Sequence, residues 1–188
     1  MLTGCLITLR PADQTDLPLL MRWAESPEMY AGSESDHWPW RAGDLEKTIT
    51  RKPDYDKSGW FLILPHGDAS SAAGWIIYRS WYTHPSLHAF DIGYRVAPEH
   101  RGRGYASAAA RLLVNQLFSR TRVHRVQAHT LPDNIASQRV LEHAGLTREA
   151  VLRGAGFGQG RYHDIIMYAM LRTEWSTPAS YAERFGPL

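Results

Sequence analysis

The sequence predicts an α+β domain built on one mixed, mostly antiparallel sheet. Strand-like segments outnumber helical ones, the helices are inserted singly, and three strands follow one another between residues 60 and 96 with only turn-like residues between them. Leu6 to Arg10 reads as the opening strand. Asp16 offers an N-cap to LPLLMRWAES, where Leu17, Leu20, Met21 and Ala24 recur at helical spacing and Pro18 is tolerated in the first turn. Residues 27–43 are loop by composition, although they carry Tyr30, Trp38 and Trp40, and a weaker helix runs from Asp44 to about Lys52. The three consecutive strands are Trp60 to Leu64, Gly74 to Tyr78 and Ala89 to Val96, with HGDASSAA as a hairpin turn and YTHPSLH as a loop. Residues 103–118 form a helix with Leu112, Leu113, Leu117 and Phe118 as its apolar stripe. A short strand at 123–128 precedes a helix from Asn134 to His143 that closes on Gly145. Strands near 147–153 and 162–171, separated by GAGFGQG, complete the chain.

At 188 residues the chain fits one domain spanning 1–188, and 44% hydrophobic with 21% charged residues excludes a disordered chain. One cysteine, Cys5, excludes an intramolecular disulfide framework and a cysteine-based zinc site; its place on the first strand puts it in the core. The nine histidines are scattered without an H-E-x-x-H pattern, so no metal is expected. The N-terminus lacks the basic start and apolar run of a signal peptide, and no stretch approaches the ~20 apolar residues of a membrane span. A soluble, cytoplasmic protein that does not engage a membrane is the expectation. The net charge of +2 hides a split: residues 1–94 carry eight basic and twelve acidic side chains, and residues 95–188 carry thirteen Arg and seven acids. Seven of those Arg lie between Arg95 and Arg125 against the single acid Glu99, and Arg suits bidentate recognition of phosphate.

Arg95 to Ala106, RVAPEHRGRGYA, joins a strand to a helix. Gly102 and Gly104 remove Cβ atoms where backbone must approach a ligand, and the helix start leaves N–H groups without partners beside the positive end of its dipole. An anion site and a plain strand-to-helix turn are equally compatible with glycine spacing alone. The run lacks G-x-x-x-x-G-K-[ST] and the third glycine of G-x-G-x-x-G, so neither a P-loop nor a Rossmann turn fits.

Arg101-Gly102-Arg103-Gly104-Tyr105-Ala106 resembles the [R/Q]-x-x-G-x-[G/A] signature of the GNAT superfamily of acyl-CoA-dependent N-acetyltransferases. Phe90-Asp91-Ile92-Gly93-Tyr94 is similar to the strand leading into that signature, and Asn134-Ile135-Ala136-Ser137 with Leu141-Glu142-His143-Ala144-Gly145-Leu146 to the family's N-x-x-S…L-E-x-x-G-[F/L] segment. Gly160 to Asp164 with Tyr168, and Leu9-Arg10-Pro11 with Asp16, Leu17 and Trp23, resemble the RimJ/RimL-like branch. The resemblance covers about residues 6–172. It implies a single GNAT-type domain whose sheet is splayed between its fourth and fifth strands, with helices on both faces.

The same resemblance implies roles. Backbone amides of Arg101, Gly102, Arg103, Gly104, Tyr105 and Ala106 hold the coenzyme A pyrophosphate. Val96 and Ala97 meet the pantetheine arm at the splay, where a strand N–H stabilises the oxyanion of a tetrahedral intermediate. Asn134 binds the same arm, and Ser137 donates a hydrogen bond to the departing sulfur. A primary amine, with an ordinary pKa of about 8–10, must lose a proton before attack, and a carboxylate can take it directly or through water. Members of this branch often place Glu just before Ile-Gly-Tyr; Asp91 stands there in this chain, and its shorter reach favours a water relay. Asp91 is equally readable as the partner of Arg95 or Arg79. His84, His88 and His100 are alternative bases, while His163-Asp164 reads as strand structure. Trp38 and Trp40, costly to expose in a polar loop, wall an acceptor pocket together with His84.

The implied reaction moves an acetyl group from acetyl-CoA, or another acyl group from its CoA ester, to a small-molecule amine or a protein N-terminus. A GNAT-fold aminoacyl transferase using charged tRNA, served by the arginines of 101–125, and a non-catalytic acyl-CoA-binding module are the alternatives. A homodimer is in keeping with the family.

Overall fold

The computed structural model describes residues 1–30, 45–47, 49, 58–67, 71–80, 89–158 and 160–175. Eight strands form one sheet: β1 (Leu2–Thr3), β2 (Ile7–Pro11), β3 (Ser58–Pro65), β4 (Gly74–Ser80), β5 (Ala89–Val96), β6 (Arg125–Thr130), β7 (Thr147–Gly158) and β8 (Arg161–Leu171). Their spatial order is β1-β2-β3-β4-β5-β6-β8-β7. Every pair is antiparallel except β5–β6, which is parallel and pairs only at Ala89↔Arg125, Phe90↔Val126 and Asp91↔Gln127. Beyond Asp91 and Gln127 the two strands part. Leaving aside the two-residue β1, which the sequence did not signal, β5 and β6 are the fourth and fifth strands, so the fork lies at the expected place.

Strand alternation sends one set of side chains to each face. Phe61, Ile63, Ile76, Tyr78, Phe90 and Ile92 pack under α3 (Tyr105–Arg120), whose Ala109, Leu113, Val114 and Leu117 point into that core. Leu62, Trp60, Leu64 and Trp75 lie on the opposite face against α1 (Leu17–Ala24) and α2 (Pro27–Tyr30), which contribute Leu20, Trp23 and Met29. Arg172 ties down the end of α3 and the turn after it, donating to the carbonyls of Phe118 (2.9 Å), Thr121 (2.6 Å) and Val123 (2.8 Å). α4 (Ile135–His143) begins with Asn134 accepting from the Ser137 N–H and ends as expected at Gly145, with Gly145 N–H donating to Glu142 and Leu146 N–H to Leu141.

Four sequence readings are corrected. Residues 27–30 are a short helix rather than loop, because burying Met29 outweighs their composition. Asp16 makes no side-chain cap to α1; Asp13 caps a preceding 3-10 turn (Gln14–Asp16), and Asp16 reaches back to the Asp13 N–H (2.9 Å) and Arg10 (2.6 Å). The glycine-rich stretch to Gly158 continues β7, held by pairing such as Gly156↔His163, with a register irregularity between Leu152 and Gly156 absorbing its laxity. Cys5 is exposed, since the first long strand starts only at Ile7.

β6 is tied to β7 through Arg125, which grips Glu149 at 3.0 and 2.5 Å and holds Gln127 at 2.7 Å. The Arg125 hydrogen bond keeps the Glu149 carboxyl below its ordinary range. A carboxyl depressed in the folded state stabilises above its unfolded pKa, about 4.3, and that stabilisation disappears as pH falls through the lower folded value. With Glu149 more than a third exposed, under about 1 kcal/mol is at stake. Urea unfolding of the wild type and Glu149→Gln should therefore differ slightly at pH 6 and converge below about pH 4.

Candidate active site

β5 leads through Ala97 and a 3-10 turn (Pro98–His100) into residues 101–104 and then α3. Gly102 and Gly104 have φ of 73° and 80°, left-handed values that side chains rarely adopt. A Cβ at Gly102 would meet nothing within 4 Å, so the backbone there is open to a ligand. Gly104 caps α3 without a side chain, and the first helical bond runs from Ala108 to Gly104 at 3.0 Å. The N–H groups of Gly104, Tyr105, Ala106 and Ser107 therefore have no intrahelical acceptor, and no acid occupies the first turn. The loop fits a phosphate.

The arginines are not gathered around it. Arg101 turns back, donating from Nε to the Val96 carbonyl (3.1 Å) and from Nη2 to the Glu28 carbonyl (2.6 Å). Arg95 donates to the Met29 carbonyl at 3.3 Å and lies 5.7 Å over the Trp75 ring. Arg120 and Arg122 stand at and just past the other end of α3, roughly 22 Å along its axis, and Arg125 grips Glu149. Arg101 and Arg103 are both exposed in the loop itself, and Arg101 is the one turned back onto the fold. What the loop offers an anion is its backbone amides, and Arg101 shapes the loop.

At the fork, Ala97 N–H is committed to the Ala73 carbonyl of the neighbouring edge (2.9 Å). Backbone direction alternates along a strand, so the amides of Tyr94 and Val96 face the space from which β6 has departed. Asp91 sits at the last paired position and is 4% exposed. Its Oδ2 accepts from Arg79 Nη2 at 3.4 Å, the residue opposite it on β4, and its Oδ1 lies 3.3 Å from His129 Nδ1 on β6. Arg79, not Arg95, is thus its cationic partner. Ser137 Oγ lies 2.9 Å from the Tyr94 hydroxyl, which also donates to the Ser137 carbonyl (3.2 Å), and Asn134 Oδ1 accepts from Ser137 N–H (3.0 Å). Asp91 and Tyr94 alternate on β5, so Asp91 projects from the α1–α2 face and Ser137 approaches from the α3–α4 face. The fork is where both faces meet.

His129 was missed because the strand reading stopped at Ala128, one residue short, and nothing local links it to Asp91, 38 positions away. The signal available was period-two alternation, which places residues 127 and 129 on one face. Trp38, Trp40, His84 and His88 lie outside the described residues. His100 sits at the foot of the loop with its ring 6.3 Å from Tyr105. His163 bonds the Gly158 carbonyl (2.9 Å) and Asp164 accepts from Gly154 N–H (2.9 Å), strand structure as expected. Among the described residues no three His, Cys, Asp or Glu side chains come together as a metal site.

A family model described as "Acetyltransferase (GNAT) domain" matches residues 7–147. Among curated proteins, the uncharacterized N-acetyltransferase YnaD of Bacillus subtilis is 29% identical over 130 residues, covering 69% of this chain and 74% of its own length. The chain spans about half the length of other curated relatives, such as the putative ribosomal N-acetyltransferase YdaF of the same organism, 33% identical over 97 residues, 48% of this chain and 53% of the relative. The spermidine N-acetyltransferase of Vibrio cholerae, solved with CoA and spermine, superposes with a TM-score of 0.77 at 18% identity, covering 89% of this chain and 96% of that one. With a match over three quarters of its length, a sheet forked at the expected strands and a glycine loop at the head of α3, the chain belongs to the GNAT acetyltransferase family.

Proposed function

We propose that this acyl-CoA-dependent N-acetyltransferase holds its donor across the fork and the glycine loop, and meets its acceptor amine beside Asp91. The carrying observation is that one strand, β5, supplies both the amides facing the fork and the lead into the Gly102–Gly104 loop. The amides of residues 102–106 take the pyrophosphate, since the Arg101 N–H is held by the Pro98 carbonyl at 3.2 Å; Val96 and Asn134 take the pantetheine arm, since the Ala97 N–H and carbonyl are engaged by Ala73 and His100, each at 2.9 Å; Ser137, oriented by Tyr94, protonates the leaving sulfur. Asp91 is too buried to touch the amine and drives its deprotonation from behind the surface.

The acceptor is a small cationic amine or a protein N-terminus. Relatives named for spermidine and for a ribosomal protein's alanine support both classes. The acidic surplus of residues 1–94 favours a cation. A charged-tRNA donor gains no support, because the arginines of 101–125 are dispersed along α3 or engaged within the fold. We read 1–188 as one cytoplasmic domain: one sheet runs from Leu2 to Leu171, and no helix among the described residues is long and apolar enough to cross a membrane. The edge hairpin β7–β8 exposes Val151, Leu152, Phe157 and Tyr162, an apolar surface suited to a homodimer.

Titration calorimetry with CoA and acetyl-CoA tests the donor site, and absence of heat from both would overturn it. Asp91→Asn should lower kcat at least tenfold and leave CoA affinity within about threefold; unchanged turnover would remove Asp91 from the reaction.

A further inference from the structure

The donor loop has a neighbour from the start of the chain. Leu6 Cδ2 lies 3.6 Å from where a Cβ on Gly104 would stand. Residues 4–6 turn before β2 begins, at the end of the sheet where β5 runs into the loop: Val96 stands opposite Gly74, Gly74 opposite Ile63, and Ile63 opposite Leu9. Leu6 is 41% exposed, and residues 1–9 carry no charged side chain. A lone exposed leucine means little, but this one is held in place. The Gly4 N–H closes the turn on the Ile7 carbonyl (3.0 Å), and His66, just past β3, fastens it from the other side. The His66 N–H donates to the Leu6 carbonyl (3.0 Å), its Nδ1 donates to the Cys5 carbonyl (3.2 Å), and its Nε2 lies 3.1 Å from Thr8 Oγ1. One residue thus fixes positions 5, 6 and 8, the backbone that carries Leu6, and leaves the leucine side chain against the loop.

We propose that Leu6 is the apolar contact for the adenine ring of coenzyme A, and that His66 is a positioning residue that holds the turn carrying it. The inference rests on the donor reading above. The strand order β2-β3-β4-β5-β6 decides which end of the coenzyme can reach Leu6. The pantetheine arm leaves the loop towards the fork between β5 and β6. β2 lies on the other side of β5, so the part that leaves the phosphates on that side is the adenosine. Methyl groups against an adenine face gain by excluding water and by dispersion, with no directed bond. That suits a turn whose side chains are uncharged, and nothing in it repels the phosphates alongside.

The direct test is NMR of the whole chain with isotope-labelled leucine methyls and bound CoA. Cross-peaks are expected between the Leu6 methyls, assigned by their loss in the conservative Leu6→Ile, and the adenine ring protons. By calorimetry, Leu6→Ala should raise the Kd for CoA and for its adenosine bisphosphate half by a common factor of about three- to tenfold. The same variant should bind the phosphopantetheine half as wild type does, and Leu6→Phe should keep CoA affinity. His66→Ala should weaken CoA binding by less, and the double variant should bind within about twofold of Leu6→Ala alone, because the two act through one contact. Turnover at saturating acetyl-CoA should be unchanged in all of them. Leu6 methyls that meet only pantetheine protons, or no proton of bound CoA, would overturn the proposal and leave the donor loop standing. Wild-type affinity for the adenosine half in Leu6→Ala would overturn it as well. Wild-type protein that binds neither CoA nor acetyl-CoA would overturn the donor reading, and this inference with it.

Discussion

Gly74→Ala is expected to lower the melting temperature by roughly 2–14 °C. Gly74 stands opposite Val96 on β4, and a Cβ there would fall 2.1 Å from the Arg95 carbonyl oxygen and 2.9 Å from Val96 Cα. Both are backbone atoms, so no rotamer change relieves the clash and the strands must separate. Separation strains or breaks the neighbouring Ala97–Ala73 hydrogen bond (2.9 Å). Overpacking with a lost hydrogen bond costs about 2–4 kcal/mol, while alanine's smaller unfolded-state entropy returns only about 0.4–1 kcal/mol. For a chain of this size each kcal/mol moves the midpoint by about 2–4 °C. Gly93→Ala is the control, because its Cβ would meet Ile77 at an ordinary 3.6 Å; its melting temperature should move by less than about 2 °C. Differential scanning calorimetry on the two variants checks both. Equal melting points would show that β4 and β5 can give way at Gly74.

Gly102→Val should raise the Kd for CoA about 10- to 100-fold, with a fall of roughly 2–8 °C in melting temperature from backbone strain. At φ 73° a β-branched residue is strained, and its side chain projects into the open space a ligand would use, where no protein atom lies within 4 Å. Losing one hydrogen bond to a charged phosphate costs about 1.5–3 kcal/mol, which sets that range. Arg103→Ala, which removes an exposed charge and keeps the backbone, should weaken binding by less, about two- to fivefold, and mainly at low salt. Calorimetry at two ionic strengths separates them. A larger loss from Arg103 would mean that side-chain charge, rather than the loop's amides, holds the donor.

The sheet was legible because β3, β4 and β5 each keep an apolar run bounded by turn residues, and α4 because Asn134 and Gly145 mark its ends. What escaped depended on contacts distant in sequence. Residues 27–30 fold as a helix because Met29 is buried against the sheet and Arg95 and Arg101 bind their carbonyls, from 66 and 73 residues away. The glycines to Gly158 disfavour a strand by propensity, and the β8 ladder overrides them. The arginine cluster was close only along the chain: a straight 16-residue helix carries its ends apart, and sequence proximity gave no hint of that. Asp91 was picked out by its place before Ile-Gly-Tyr, whereas its partner on β6 came from tertiary pairing alone.

The fork also divides the labour of the chain along its length. On the Asp91 face, α1 and α2 come from residues 17–30, and helical residues Leu45 and Ile49 pack in the same cluster; the glycine loop, α3 and α4 all come from residues 98–143. β5 belongs to both. An exchange of the first helices between relatives therefore alters what the acceptor meets while the donor machinery is carried over whole. Such a chimera has two seams to preserve: the packing of Leu20, Trp23 and Met29 with Leu62 and Trp75, and the two arginines, Arg95 and Arg101, that reach across to carbonyls rather than to side chains. Backbone recognition leaves the grafted sequence free to vary outside its buried positions.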